Sequence, residues 1–379
     1  MAKGVRSHGL NALVLILVAY AWAGQPDAFG ASAQSALLKA KQEAESKGYV
    51  LFANHDEILS KAKNEPRLRV LATLEGSLKI TASAFKKKYP FIDLQVENSR
   101  TVEESQRLLL QVKAGAAKDW DIIKTTPTFY SEWLPHLWKV DLLGMAEHRV
   151  LDIPAKMIDP KNRNVVALGA RLAVVTYNKD LVSPGRLPKS WEDMLKPEWK
   201  GKKFANDINP AEIAALVPVW GLEKTLNYAR QLASQEPIWS RGATRSVTAV
   251  TAGEIPLLLF GASYSIAARA ERKDPRGTTQ FTLVEPVPVR STLEQAILST
   301  SRNRHAALLW LEFMAGLEAQ KLIDEHEPLV ASLYSKESAA ERALRGKKLS
   351  VVSWENNEEL EQWITKILEA YGFPAAIVK

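Results

Sequence analysis

The stretch LRVLATLEGSLKITASAFKKKYPFIDLQV, residues 68–96, decides the fold class of this chain. Its apolar start, 68–74, predicts a buried strand, and the turn 75–77 leads into a helix that ends at Lys88, before a Tyr-Pro pair. The segment 92–96 then predicts a second strand. A strand, a helix and a strand in this order predict two parallel strands joined by a right-handed crossover.

The next segment extends this pattern to a parallel sheet. Thr101 and Glu104 form a capping box for a helix through Val112, and WDII at 120–123 predicts a third strand. Ligands of open parallel sheets bind beyond the carboxyl ends of the strands. We therefore expect a binding site lined by the strand-end loops 73–77, 98–101 and 124–127.

A second α/β unit follows the first. Strands are predicted at 168–177, 255–260 and 281–289, and helices at 211–217, 221–234 and 244–252. The chain leaves the first sheet near residue 170 and returns near 290, so the first lobe is discontinuous. The sequence thus predicts an α/β fold with two lobes, each a mainly parallel sheet flanked by helices, and a ligand cleft that closes by hinge motion.

The first residues have the layout of a secretory signal peptide. Lys3 and Arg6 precede an apolar run at 12–23, and Ala31-Ser32-Ala33 is a small-residue cleavage site. The run is shorter than the roughly 20 residues of a membrane span. Cleavage after Ala23 is the alternative. We expect export to the periplasm, where binding or hydrolysis is the leading class of function.

The predicted organisation has five parts. They are a signal peptide at 1–33, an N-terminal helical extension at 34–65, the first part of lobe 1 at 66–170, lobe 2 at 171–290, and a return to lobe 1 with C-terminal helices at 291–379.

Composition narrows the function further. The chain has 379 residues, 46% of them hydrophobic and 25% charged, which suits two globular domains. It has no cysteine, which excludes disulfides, thiolate catalysis and cysteine-ligated metals. The net charge of +7 favours anionic partners, but the basic clusters at 86–88, 200–203 and 345–348 are short and far apart. Nucleic-acid binding needs a concentrated basic patch and is not expected.

Several blocks of sequence resemble one known family. They are AFKKKYP at 84–90, YNKDLV at 177–182, PKSWED at 188–193, LKPEWKGK at 195–202, AGE at 252–254 and the helix at 306–313. Over residues 57–330 the chain resembles extracellular solute-binding proteins of ABC importers, family 1, the group that contains ferric-ion, thiamine and aminoalkylphosphonate binders. The resemblance implies a type II periplasmic-binding fold and delivery of a solute to an inner-membrane permease by a monomer without a cofactor.

The resemblance leaves the solute open. Ferric-binding members carry an adjacent tyrosine pair after the Gly-Glu strand, and the matching positions here are Ser263 and Tyr264. Because one phenol is missing, ferric ion is kept as the alternative. The arginines Arg100, Arg241 and Arg245 of the predicted cleft lead us to expect a small anionic organic solute.

The candidate ligand-binding residues lie at the predicted strand ends. In lobe 1 they are Thr73, Glu75, Gly76, Ser77, Arg100 and Thr125, and in lobe 2 Asp207, Arg241, Thr244, Arg245, Ser263 and Tyr264. The backbone amides of the Gly76 turn suit an anion at a helix start, and the arginines suit a carboxylate or phosphonate. The alternatives are an ordinary helix cap for the turn and solvated loop side chains for the arginines.

Catalytic motifs are incomplete. GASYS at 261–265 lacks the final glycine of a nucleophile elbow, and the His326-Glu327 pair has Val330 where a zinc motif needs its second histidine. We therefore expect a receptor without enzymatic activity. An exported hydrolase on a two-lobed scaffold, or an interaction protein at the membrane, are the alternatives of other classes.

Overall fold

A computed structural model describes residues 27–374, apart from residues 75, 100, 101, 118, 126–128, 328 and 336–337. Most of the predicted signal peptide lies outside the described residues, as do Glu75 and Arg100 of the candidate site. Among the helices that are described, none has the length and apolar character needed to cross a bilayer.

The described chain contains eleven strands and fifteen helices, with several short 3₁₀ turns between them. The strands are β1 (Leu68–Ala72), β2 (Leu94–Asn98), β3 (Ile122–Lys124), β4 (Val165–Leu172), β5 (Val175–Asn178), β6 (Ala205–Asp207), β7 (Ile238–Ser240), β8 (Leu257–Leu258), β9 (Thr279–Thr282), β10 (Val287–Ile297) and β11 (Leu349–Val352). The helices are α1 (Asp27–Ser46), α2 (His55–Ala62), α3 (Leu78–Lys88), α4 (Val102–Lys113), α5 (Tyr130–Trp133), α6 (Leu142–Glu147), α7 (Ala211–Ala214), α8 (Val217–Trp220), α9 (Leu222–Ala233), α10 (Ala243–Ala252), α11 (Tyr264–Lys273), α12 (Arg304–Ala315), α13 (Leu317–His326), α14 (Ala339–Leu344) and α15 (Asn357–Ala370).

The first sheet has the order β11-β10-β3-β1-β2, and β4 pairs with β10 outside this path. β1 is parallel to β2 and β3, as the strand–helix repeats predict. β10 runs antiparallel to β3 and β4 and parallel to β11. The predicted parallel arrangement of the first three strands is therefore confirmed, and their carboxyl ends share one edge.

The second sheet has the order β7-β6-β8-β5-β9. β6 is parallel to β7 and β8, whereas β5 is antiparallel to β8 and β9. Each sheet has its own apolar core. The result is the predicted α/β fold of two sheets flanked by helices.

Two strands expected to be continuous are each divided between the sheets. The run 168–177 forms β4 in the first sheet and β5 in the second, and 281–289 contains the end of β9 and the start of β10. Because the linking residues Ala173 and Val174 are as buried as the strands, the apolar sequence does not indicate where β4 ends and β5 begins. These residues and 283–286 form the two crossovers between the sheets.

The 188–202 block anchors the second crossover. Ser190 and Asp193 form a capping box, and the buried Trp191 ring stacks on Phe260 with centroids 4.4 Å apart. The Trp191 indole N–H donates to the Pro286 carbonyl at 3.0 Å. The Ser-Trp pair of the resembling block therefore holds the chain where it returns to the first sheet.

The two ends of the described chain differ from expectation. α1 begins at Asp27, so the predicted cleavage site lies within a helix that extends to Ser46. The part at 291–379, expected to return to lobe 1 with C-terminal helices, also contributes a strand, β11, to the first sheet. α15 then packs against α9 in the second core, so the chain crosses between the lobes a third time.

Candidate functional site

The strand ends of the first lobe lie at one edge, as predicted. The Thr73 hydroxyl donates to the Ser99 carbonyl at 2.7 Å, which ties the end of β1 to the end of β2. Thr125 follows β3 and is fully buried, and its hydroxyl has no hydrogen-bond partner among the described residues. Thr73 and Thr125 therefore lie at the carboxyl edge of the three parallel strands.

The turn before α3 is already occupied by a carboxylate of the chain itself. The amides of Gly76 and Ser77 donate to Glu327 Oε1 at 3.1 and 2.9 Å, and the Ser77 hydroxyl donates to the same atom at 2.6 Å. The expectation that this turn is free for an anion needs correction, because Glu327 caps it. The alternative, a helix cap, describes the geometry. The capping acid, Glu327, is 251 residues away from Gly76 in sequence.

In the second lobe, Asp207 ends β6 and is nearly buried. Its carboxylate accepts hydrogen bonds from the amides of Asn209, at 2.8 Å, and Gly242. Burial, with a smaller contribution from Glu212, raises the pKa of Asp207 to about 6. Asp207 is thus fixed by its own loop and lies close to the start of α10.

The three predicted residues around Gly242 are exposed. They are Arg241, Thr244 and Arg245, in the loop before α10 and its first turn. The two arginines form no ion pair within the described part of the chain, and their predicted partner Arg100 lies outside it. A cationic clamp of Arg241, Arg245 and Arg100 for an anionic solute therefore stays a prediction.

Ser263 and Tyr264 lie beside the first crossover. Ser263 is buried and forms an isolated bridge with Ala173, and its hydroxyl lies 3.3 Å from that of Ser265. The half-buried Tyr264 ring packs edge-on against Phe281 at 4.7 Å. Burial, helped by Glu271, raises the pKa of Tyr264. Among the described residues, no three His, Asp or Glu side chains form a group suited to a metal ion.

Six charged residues that were not predicted as a group occupy the space between the two sheets. We call them the interlobe charge cluster: Lys124 of β3, Arg171 of β4, Asp207 of β6, Glu212 of α7, and Arg290 and Glu294 of β10. Only Asp207 was among the candidates. The cluster extends from the predicted edge of the first lobe to that of the second.

One side of the interlobe charge cluster is internally paired. Arg171 Nη2 lies 3.2 Å from Glu212 Oε1, and Glu212 Oε2 accepts from the Gly261 amide at 2.8 Å. A Cβ added to Gly261 would lie 3.0 Å from that of Asp207, at a φ of +141°. Glycine is therefore needed here, where the two acids approach the same loop.

The other side of the cluster is not paired. Arg290 lies directly opposite Arg171 in the β10–β4 register, and its side chain has no hydrogen bond or ion pair to any described residue. Burial, with Arg171 adding to it, lowers the pKa of Arg290 to about 10. The buried Glu294 carboxylate also lacks an ion-pair partner, and burial raises its pKa to about 7 against the opposing effects of Arg290 and Lys124.

A signal for this cluster is present in the sequence. Arg171 interrupts the apolar run LGARLAVVTY, and Arg290 and Glu294 interrupt the strand VPVRSTLEQAI. Burying a charge costs free energy unless an opposite charge or a ligand balances it. Charged residues inside an apolar strand pattern therefore mark candidate binding sites.

Two surface hollows lie away from the strand ends. One of about 570 Å³ lies between α3 and α13, and one of about 440 Å³ lies beside α2 and α12. Neither is lined by a predicted ligand residue. Both are open grooves on the outer side of the first lobe, so we place the candidate site at the strand ends.

A model of bacterial extracellular solute-binding proteins matches residues 138–359, more than half of the chain. The chain belongs to this family. The match includes every member of the interlobe charge cluster except Lys124. The resemblance inferred from the sequence blocks is confirmed, and the solute-binding protein belongs to a family of binding proteins, not enzymes.

One curated relative of this solute-binding protein is the Fe(3+)-binding periplasmic protein of Serratia marcescens. The two are 33% identical over 76 residues, which is 19% of this chain and 22% of that protein. The match thus spans about a fifth of the relative's length.

Solved structures show the same fold. Iron-bound HitA from Pseudomonas aeruginosa superimposes with a TM-score of 0.61 at 17% identity, covering 80% of this chain and 99% of that one. The IdiA (FutA) protein of Trichodesmium, solved with iron and citrate, gives a TM-score of 0.58 at 19% identity, covering 81% and 99%. At these identities the likeness shows the two-lobed periplasmic-binding fold of the solute-binding protein.

Proposed function

We propose that this protein is the periplasmic receptor of an ABC importer, exported by residues 1–33 and active as a monomer that delivers its solute to an inner-membrane permease. It acts by binding alone, without catalysis, cofactor or nucleic acid. We propose that lobe 1 passes into lobe 2 near residue 170 and returns near 290, at the crossovers 173–174 and 283–286, and that α15 of the part 291–379 packs on lobe 2. The family assignment and the two-lobed fold support this function.

We propose a small anionic organic solute, such as a carboxylate or a phosphonate. The observation that carries this proposal is Arg290, a guanidinium on an interlobe strand with no acid within ion-pair distance among the described residues. Lys124, at the predicted strand end, likewise has no described ion-pair partner. Two cations that act on the same buried acid, Glu294, and have no ion-pair partner among the described residues favour a ligand that supplies negative charge and accepts forked hydrogen bonds.

Closure of the lobes couples binding to delivery. The chain passes between the sheets at 173–174 and 283–286, and the Arg171–Glu212 pair joins the two lobes at 3.2 Å beside these crossovers. A solute that contacts both lobes favours the closed state by its differential affinity.

Ferric ion as cargo is the second candidate. The similar proteins favour it over an organic anion, since the curated relative is an Fe(3+)-binding protein and both structures contain iron. Tyr264 would supply one phenolate here, while Ser263 replaces the second. A ferric complex with a carboxylate would supply negative charge to Arg290 and would also agree with the iron-binding similar proteins.

A binding screen tests the proposal. Signal-free protein, stripped of bound solute by unfolding and refolding, is heated with succinate, methylphosphonate, sulfate, thiamine, ferric citrate or ferric ion. We expect one of the organic anions to raise Tm, and Arg290→Gln to weaken its binding about tenfold or more, as for loss of a hydrogen bond to a charged group. The exposed Arg67→Gln, which removes a surface ion pair with Asp93, is the matched control.

The screen separates the candidates. A rise in Tm with ferric ion alone, with a visible phenolate-to-iron absorption band that Tyr264→Phe abolishes, would contradict the anion proposal and establish the second candidate. Stabilisation by thiamine alone would contradict both.

A further inference from the structure

Glu294 is a buried acid at the centre of the unpaired side of the interlobe charge cluster. It is 3% exposed and lies in β10, opposite Ala167 of β4. Its backbone carbonyl accepts from the Thr125 amide at 3.1 Å, and the next residue, Gln295, pairs with Lys124. Glu294 therefore lies beside the predicted end of β3, on the strand that follows the second crossover.

The charged and titratable groups near Glu294, or near the two cations that act on it, come from six elements. They are Arg290 on its own strand, Lys124 of β3, Arg171 of β4, Glu104 of α4, Glu212 of α7, and Tyr130 of α5 with Asp159, to which its hydroxyl donates. Burial raises the pKa of Tyr130 above its ordinary value, so this phenol stays neutral.

The other acids of the cluster are already engaged. Glu212 is bonded to Arg171 and to the Gly261 amide, and Asp207 to the amides of its own loop. Glu294 is therefore the acid left to balance Arg290 and Lys124 when the cleft is empty, although it lies beyond ion-pair distance of both. A second negative charge near the same two cations would compete with it.

We propose that Glu294 is a proton-linked specificity residue, ionised in the empty receptor and protonated when an anionic solute binds. This inference rests on the proposed anionic solute. The solute brings negative charge to Arg290 and Lys124, and its repulsion of the Glu294 carboxylate draws one proton from solvent onto a carboxylate oxygen. The protonated Glu294 then no longer competes with the solute for Arg290 and Lys124, and its O–H becomes a hydrogen-bond donor in the loaded cleft.

The ionisation range of Glu294 agrees with this role. Burial raises its pKa to about 7, so a modest repulsion is enough to change its charge near neutral pH. The linkage predicts tighter binding on the acid side, with affinity falling by up to about tenfold for each pH unit above 7.

Titration calorimetry on the full signal-free protein tests this inference. The probes are sulfate and succinate, whose charges stay constant above neutral pH, measured at several pH values in two buffers of different ionisation enthalpy. We expect uptake of up to one proton on binding. Glu294→Gln should abolish the uptake and bind at alkaline pH as tightly as the unmodified protein does at acid pH. Glu341→Gln, at an exposed acid paired with Arg345, should leave the proton uptake and the affinity at each pH unchanged.

The outcomes separate the two proposals. If neither probe binds at any pH, or Arg290→Gln binds as well as the unmodified protein, the anionic solute is wrong and the inference falls with it. If the probes bind with no proton uptake and no pH dependence, the receptor proposal stands and the role of Glu294 is overturned. Proton uptake is measured on the unmodified protein, so this test does not depend on the folding of the variant.

Discussion

The buried acid Glu294 makes the stability of this protein depend on pH. Folding raises its pKa from the ordinary value of 4.5 to about 7, so the native state holds its proton more tightly than the unfolded chain. Its contribution to stability is complete below pH 4.5 and is lost as the pH rises to about 7. We expect Glu294→Gln to remove this loss, which is on the order of 3 kcal/mol in the free energy of unfolding.

Urea unfolding of both proteins across this pH range gives the measurement. The difference between the two free energies of unfolding should change with pH between about 4.5 and 7 and be constant above. Two curves that stay parallel throughout would show that Glu294 is not buried as described.

A second residue-scale prediction concerns Glu327. Its carboxylate receives three hydrogen bonds at the start of α3, from the two amides and the hydroxyl of Gly76 and Ser77. Glu327→Ala removes this cap, and we expect a loss of about 1–2 kcal/mol in the free energy of unfolding. Glu341→Ala, which breaks an exposed ion pair, should cost less than about 0.5 kcal/mol. Equal losses would mean that the cap adds no stability.

Among the elements, β4 is tightly packed around Gly169. A Cβ at Gly169 would lie 2.6 Å from both the Val330 carbonyl oxygen and Leu293 Cδ1, and the backbone atom cannot move aside. We expect Gly169→Ala to destabilise the protein by about 1–3 kcal/mol, measured by denaturant unfolding. Gly185→Ala adds the same methyl group where nothing lies within 4 Å and should change stability little. Similar effects of both changes would contradict this packing.

The elements also show which parts of the fold could be predicted from sequence. β1 to β3 and their helices were predictable because each has local signals, an apolar run bounded by turns or a cap. The division of 168–177 into β4 and β5 was not, because Ala173 and Val174 are buried like the strands they join. β11 was missed because only four residues pair with a distant strand.

The candidate site was predictable to a similar degree. The strand-end edge follows from topology, so the positions of Thr73, Thr125 and Asp207 at strand ends could be predicted from sequence, whereas their role as ligand residues stays a prediction. The Glu327 cap was not, because it joins residues 251 positions apart, and no local pattern reports such a contact. The interlobe charge cluster depends in the same way on strand register, which places Arg290 opposite Arg171.

At the scale of the whole molecule, α15 links the stability of the second lobe to the end of the chain. Ile367 is fully buried in the core that α15 shares with α9. We expect Ile367→Ala to lower the free energy of unfolding by about 3 kcal/mol. Hydrogen exchange should speed up in α9 more than in α3, which lies in the other lobe. Leu110→Ala, 60% exposed on α4, is the control and should change little. Equal acceleration in α3 and α9 would mean that the lobes do not open separately.

The third crossing also determines where the two ends of the described chain lie. α1 packs against the first lobe through α6, whereas α15 packs on the second. Because the natural sequence contains no thiol, cysteines introduced at the exposed Ser46 and Glu369 would be the only sites for a pair of fluorescent dyes. Energy transfer between the dyes would then follow the approach of the lobes directly, one molecule at a time.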